Sequence, residues 1–251
     1  MKMRIITILC LWACLATSCT KEIEGSYTDD SRIYFEYLFQ DPNYYGTRLI
    51  IRDSLIVSLG KLDKEIESYE VKIPLKLLGL PLTTERQYKV HVLEVGTVLK
   101  GKTTAQENVH YLPLKESYQF RKDEWTDTLK VTVLRSALNT SFTAKESKTL
   151  MLGLEETADL KLGMRDGWEI KMNINNFLEK PSWWREGGLG YYHPEKYRIL
   201  LLFETEEFYA TVDILNNAKR YIAAMKSYLE DHVVIDEETG KRVGFDSLID
   251  L

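Results

Sequence analysis

Cysteine is almost missing from this chain. Its three copies, Cys10, Cys14 and Cys19, all fall within the first nineteen of 251 residues. Everything after Cys19 lacks a thiol, so no disulfide framework and no thiolate metal site can form there, and the fold must rest on its own core. Histidine is scarce too: His91, His110, His193 and His232 are scattered, with no His-x-x-x-His or Cys/His spacing that would hold zinc. There is no Gly-x-Ser-x-Gly elbow, P-loop or dinucleotide fingerprint, and no cofactor is expected. Apolar runs stay well short of the roughly 20 residues that span a bilayer. Positive charge is in deficit, 33 Lys and Arg against 38 Asp and Glu, for a net −5. The first eighteen residues carry two of the cations and no acid, which leaves the remainder at −7. Nucleic acid wants a basic face and anionic lipid a polybasic one, so neither is an expected partner through charge. The carboxylates gather as Glu155, Glu156 and Asp159, as Glu204, Glu206 and Glu207, and as Asp236, Glu237 and Glu238. No linear spacing sets two of them across one cleft as a glycosidase requires, and they read as solvated faces.

The amino terminus is an address. Lys2 and Arg4 precede an apolar run from Ile5 to Leu15, and small residues Ala16, Thr17 and Ser18 follow. A charged start, a short apolar stretch and a small-residue cleavage site make a secretory signal over 1–18. Ala16-Thr17-Ser18-Cys19 resembles a bacterial lipobox, with Ala16 where Leu is usual. Cys14 competes less well, because Trp12 would crowd the cleavage site. The lipobox implies acylation of Cys19 and a membrane partner reached through the lipid, each buried methylene adding about 0.8 kcal/mol. Thr20-Lys21-Glu22-Ile23-Glu24 resembles the acidic surface-export signal of Bacteroidetes lipoproteins. The expected location is therefore the outer membrane, facing the cell surface, with the periplasmic face as the alternative. Residues 19–31 read as the lipidated cysteine and a polar leash.

From residue 32 to 137 the pattern is β. Ile33–Leu38 is rich in strand formers, Tyr69–Leu77 alternates with apolar residues at odd positions, and Tyr88–Val95 and Thr128–Leu134 alternate again. Val109–Leu112 is a shorter candidate strand. Pro74 cannot donate to a ladder and suggests an edge strand or a bulge. Short alternating strands with polar turns predict an immunoglobulin-like β-sandwich. Residues 138–251 read as a separate α+β part. In it Lys148–Leu154 and Trp168–Ile174 are strands, and Tyr197–Phe203 is a buried strand or the opening of a helix. Ile214, Ala218, Tyr221, Ile222, Met225 and Leu229 mark one long helix capped by Asp213 or already begun near Thr205, and Val233–Val243 forms a hairpin around Glu238-Thr239-Gly240. The expected fold class is thus mainly β with an α+β C-terminal part.

The stretch richest in chemistry is Pro181–Tyr197, with two Trp, three Tyr and a His around a Gly-rich turn. Aromatic faces suit the C–H face of a sugar ring, and Arg185 and His193 add hydrogen-bonding groups. Trp183, Trp184, Arg185, Tyr191, Tyr192 and His193 are the candidate ligand-binding residues. The competing reading makes the two tryptophans plugs in a hydrophobic junction. No catalytic residue and no metal ligand is singled out. Ala105–Tyr111 resembles the Ala…Asp-Tyr segment of Calx-β sandwiches, with His110 in place of the Asp. The likeness speaks for the fold rather than for calcium, which wants six to eight oxygen ligands.

Arg32-Ile33-Tyr34-Phe35, Val109–Leu112, Leu150–Leu154, Pro181-Ser182-Trp183-Trp184, Gly190-Tyr191-Tyr192 and Lys196-Tyr197, together with Cys19, resemble a family of Bacteroidetes lipoproteins that carry a domain of unknown function. The resemblance implies genes beside SusC/SusD-like importers, and so a part in capturing or importing glycans or peptides. It implies no catalytic residues. The expected function is a non-catalytic binding or scaffold role, with a glycan or an importer complex as partner. A polymer-degrading hydrolase and a structural stalk or adhesin are the alternatives.

Overall fold

Alternation at Val71, Ile73, Leu75 and Leu77 buries those four side chains and leaves Lys72 exposed, so the segment forms the long strand β5 (Ser68–Leu78). The protein is seen here as a computed structural model that describes residues 30–36, 38–40, 49–51, 54–217 and 219–251. The expected signal at 1–18, Cys19 and the leash as far as residue 29 lie outside the described residues.

Among the described residues β5 sits inside a four-stranded sheet with β1 (Arg32–Phe35), β8 (Thr126–Leu134) and β10 (Lys161–Leu162), in the order β10-β1-β5-β8. A second sheet has the order β4-β11-β9-β6-β7, from β4 (Leu55–Ser58), β6 (Arg86–Val92), β7 (Tyr118–Phe120), β9 (Lys148–Glu155) and β11 (Glu169–Asn175). A small pair, β2 (Leu38–Gln40) with β3 (Leu49–Ile51), precedes β4. The two large sheets share one hydrophobic cluster, which runs from Ile33 to Ile174 and includes Leu75, Leu129, Val133, Leu150, Leu152 and Met172. Burying each such side chain stabilises the fold by about 1.5–3 kcal/mol.

Two expectations are corrected here. Pro74 lies in a central strand, neither at an edge nor in a bulge. The Leu77 amide donates to Trp125 O toward β8, so by alternation the nitrogen of Pro74 faces β1. The β1 ladder ends there: Glu36 N donates to Pro74 O, and no N–H is needed in return. The division near residue 137 is also displaced. β9 pairs with β6, β11 with β9 and β4, and β10 with β1, so residues 148–175 complete the sandwich. Val109–Leu112 forms only isolated bridges, such as Tyr111 with Val133.

After β11 the chain turns helical. Tyr197–Phe203, left open between strand and helix, falls mostly in the helix Pro194–Leu201, whose proline stands at the first turn and whose His193 cap accepts from Glu195 N. Thr205 caps Glu206–Thr211, Asp213 accepts from Asn216 N, and the amphipathic stretch closes with the helix Lys219–Asp231. A second cluster joins Trp183, Trp184, Tyr197, Tyr209, Tyr221, Met225 and Val243. The expected tail hairpin forms but is short: Ile235 bridges Arg242, Val243 N donates to Val234 O and Asp236 N to Lys241 O, and β12 (Arg242–Val243) pairs onward with β13 (Leu248–Ile249).

The connections give the molecule two ends. Arg32 is paired with Leu78, so the chain enters at the end that carries the β5–β6 and β7–β8 turns. β4, β8 and β11 all finish at the opposite end, where the helical region sits.

Candidate functional site

At that far end a cleft of about 250 Å³ opens between sandwich and helices, lined from both sides by Lys64, Arg135, Phe142, Asn176, His193 and Arg198 with four carboxylates. Each side chain is held by its own element. Arg135 follows β8 directly and is mostly buried; its guanidinium donates to Asp63 O at 2.5 Å and Leu59 O at 2.6 Å, which fixes the β4–β5 turn as one wall. Arg198 reaches across from its helix to Gly60 O at 2.8 Å and pairs with Glu195 at 3.0 Å. Lys64 lies 3.0 Å from Glu195 and 2.7 Å from Glu237. Gly60 allows the close approach of the two regions, because a Cβ there would stand 2.4 Å from the Phe177 carbonyl carbon.

His193 and Asp236 form the buried back of the cleft, at 4% and 6% exposure. The Nδ1 of His193 accepts from Glu195 N, so a neutral ring carries its proton on Nε2. That atom lies 3.4 Å from Asp236 Oδ1, too poorly aimed for a regular hydrogen bond, and has no other partner among the described residues. Burial pushes the imidazole below its ordinary value, outweighing the neighbouring carboxylate, which favours the neutral ring. Burial alone would raise Asp236, but the hydroxyl of Thr239, the Glu238 amide and His193 together hold its carboxyl below the usual range. Phe142 packs edge-on to His193 and Tyr192 at centroid distances of 5.7 and 6.1 Å.

Of the six residues expected to bind ligand, the structure brings only His193 to this cleft. Trp183 and Trp184 are 8% and 3% exposed. Trp183 stacks on Tyr209 at 5.2 Å, and Trp184 donates from Nε1 to Gly190 O. They are core of the second cluster and offer no free ring face to a sugar. Tyr192 is spent on Leu178 O at 2.6 Å. Tyr191 supplies its carbonyl and ring to Lys196. Arg185 is exposed and turned back on Ser182 O. The residues missed by sequence reasoning are Lys64, Arg135, Phe142, Asn176, Arg198 and Asp236. They come from separate segments with no shared spacing, and only the Asp236–Gly240 turn carried a local signal.

His110, at the position that suggested a Calx-like segment, closes a turn: its Nδ1 accepts from Gln106 N at 2.9 Å. Among the described residues no group of three or more His, Cys, Asp or Glu is placed to hold a metal ion.

A family model described as a domain of unknown function, DUF4843, matches residues 27–205. Among curated proteins none matches the chain. Solved structures resemble it weakly. The apo form of the Calx CBD1 domain has 12% identity and a TM-score of 0.36, over 59% of this chain and 100% of that one. The calcium binding domain CBD12 of CALX1.1 has 12% identity and a TM-score of 0.36, over 58% and 45%. A protein of unknown function from Bacteroides ovatus has 11% identity and a TM-score of 0.37, over 57% and 43%. The chain therefore spans less than half of the last two. At this level no ligand and no residue role transfers from them.

Proposed function

We propose, starting from the fact that the chain belongs to the DUF4843 family, that it is an exported, lipid-anchored protein of the cell envelope whose folded part binds without catalysis. Its junction cleft takes one neutral, hydroxyl-rich unit, such as a sugar at the end or branch of a glycan. The observation that carries this reading is the state of the charges around the cleft. Lys64 and Arg198 are matched by carboxylates, and Arg135 is taken up by backbone carbonyls. An anionic ligand would have to break those pairs, at a cost of several hydrogen bonds to charged groups. A neutral polyol needs only spare donors and acceptors and an apolar patch. Asn176 supplies both a donor and an acceptor, His193 a neutral ring, and Phe142 an aromatic edge or face. The volume lies below the roughly 300–1,000 Å³ of pockets for drug-sized ligands, which fits a single small unit rather than a long chain.

A hydrolase would need two carboxyls free to work across the gap. Here Asp236 is tied to Thr239 and Glu195 to Lys64 and Arg198, which favours binding. The position of the cleft, opposite the end where the chain enters, supports delivery to a neighbour such as a SusC/SusD-like importer, and that role is part of the same proposal.

The test is calorimetric titration of the soluble chain from residue 20 against neutral and uronate-rich polysaccharides. Neutral glycans are expected to bind, with Phe142→Ala and Asn176→Ala each weakening affinity at least tenfold at an unchanged melting temperature. Equal binding by both variants, or a preference for the acidic polymers, overturns the reading.

A further inference from the structure

The end of the sandwich where the chain enters exposes two large apolar side chains that the fold does not use. Leu80, in the β5–β6 turn, is 65% exposed, and Trp125, just before β8, is 52% exposed. Both belong to the same end as the first described residues. Arg32 is in register with Leu78, a Cβ on Gly79 would stand 4.0 Å from Ser31 Cα, and Trp125 O accepts from Leu77 N at 2.9 Å. The two turns are tied together, since Asp123 N donates to Leu82 O at 2.9 Å. They form one continuous rim.

We infer that this rim rests on the lipid bilayer beside the anchor. The inference relies on the lipid-anchor reading above, and the length of chain before the fold supplies the geometry. Only residues 20–30 separate Cys19 from Ser31, a span of at most about 40 Å even fully extended. An acyl chain on Cys19 therefore confines the rim bearing Leu80 and Trp125 to the neighbourhood of the membrane. The cleft stands at the far end of β5, whose eleven residues reach about 36 Å. An indole with an apolar body and a polar N–H is the side chain enriched at the membrane–water boundary. The charges around it are mixed and partly paired, Arg121 with Glu124 at 3.8 Å and Arg86 with Asp159 at 3.2 Å. The contact is therefore interfacial and apolar, and insensitive to salt. The rim on the bilayer turns the cleft outward, so anchor, sandwich and site fall in line.

The experiment uses the full acylated chain in phosphatidylethanolamine–phosphatidylglycerol vesicles whose acyl chains are brominated near the headgroup. The expected result is quenching of tryptophan emission in the wild type that disappears in Trp125→Phe, falls in Leu80→Ser, and is unchanged by raised salt. Acylated protein with no quenching, or equal quenching in wild type and Trp125→Phe, overturns the inference while leaving the anchor intact. An unmodified Cys19 by mass spectrometry, with protein that does not sediment with vesicles, removes the anchor and the inference together.

Discussion

Lys196 is the residue whose surroundings depart furthest from what its type suggests. A lysine in a polar-looking stretch reads as a surface residue, yet this one is fully buried. Its ammonium donates to Tyr191 O at 2.7 Å and Phe245 O at 2.8 Å, and lies 4.3 and 4.8 Å from the ring centres of those residues. Carbonyls and aromatic faces keep the charge solvated from within. Burial nonetheless pushes its pKa down to about 8, with the charge of Asp246 opposing. The unfolded chain, near 10.4, therefore holds more protons between the two values, and folding gains stability as pH rises through that window. The melting temperature of the wild type should rise relative to that of Lys196→Met from pH 8 to pH 10; a constant difference would mean an ordinary lysine. Glu169 runs the other way. It is 4% exposed and accepts from the amides of Thr97, Val98 and Leu99 at 2.8, 3.0 and 2.9 Å. Burial raises its pKa, but these bonds and the Thr97 hydroxyl outweigh it, and the folded value lies below the free one. Its contribution is complete above the unfolded value near 4.3 and fades as pH falls through the lower folded value. Glu169→Gln should cost about 2–3 kcal/mol at pH 7 in denaturant titration, with the difference shrinking in acid. Neither role was legible, because a buried charge leaves no mark in local periodicity.

At the scale of elements the sequence speaks best where period alone decides. β5, β6 and β8 alternate apolar and polar residues, and the structure buries most of the apolar set of each, with Tyr69 left exposed. Period two tells which face is buried, but not which strand lies alongside. That is why β9 and β11 were legible as strands and yet assigned to the wrong part of the chain, and why Pro74 pointed to an edge. Its missing donor is harmless in mid-sheet only because β1 stops at that register, a fact set by another segment. The aromatic stretch teaches the same lesson. Exposed and buried indoles have the same letters, and what buries Trp183 and Trp184 is the helix Pro194–Leu201 together with Tyr209. The turn between them is more readable. Gly190 has φ +67°, and a Cβ on it would lie 2.7 Å from Phe245 O and 3.0 Å from Lys196 Nζ. Gly190→Ala should therefore lose about 1–3 kcal/mol, from strain and from displacing the buried ammonium. A melting curve unchanged within error would show that the turn relaxes freely.

On the scale of the whole molecule, two hydrophobic clusters meet through polar groups rather than through a shared core. The first ends at Ile174 and the second begins at Leu178. Between them stand Arg198 on Gly60 O, Lys64 with Glu195 and Glu237, and the exposed pair Lys61–Glu206. Junctions of this kind are the ones that permit domains to move or to unfold separately. The cleft lies in this junction, and its lining comes from segments as far apart as Lys64 and Asp236, so no stretch of sequence announces it. The bonds are unequal. Lys61–Glu206 is solvated, and an exposed ion pair is worth at most about 1 kcal/mol. Arg198 ties a helix to the sandwich through a charge-assisted bond in a partly buried setting, worth about 1.5–3 kcal/mol. Arg198→Ala should therefore split calorimetric unfolding into two transitions, the helical region melting first, while Lys61→Ala leaves a single transition in place. A single unshifted transition in Arg198→Ala would mean that the close fit of Gly60 against Phe177 couples the two regions unaided. Gly60→Ala, which drives a methyl into that backbone, would then be the variant that separates them.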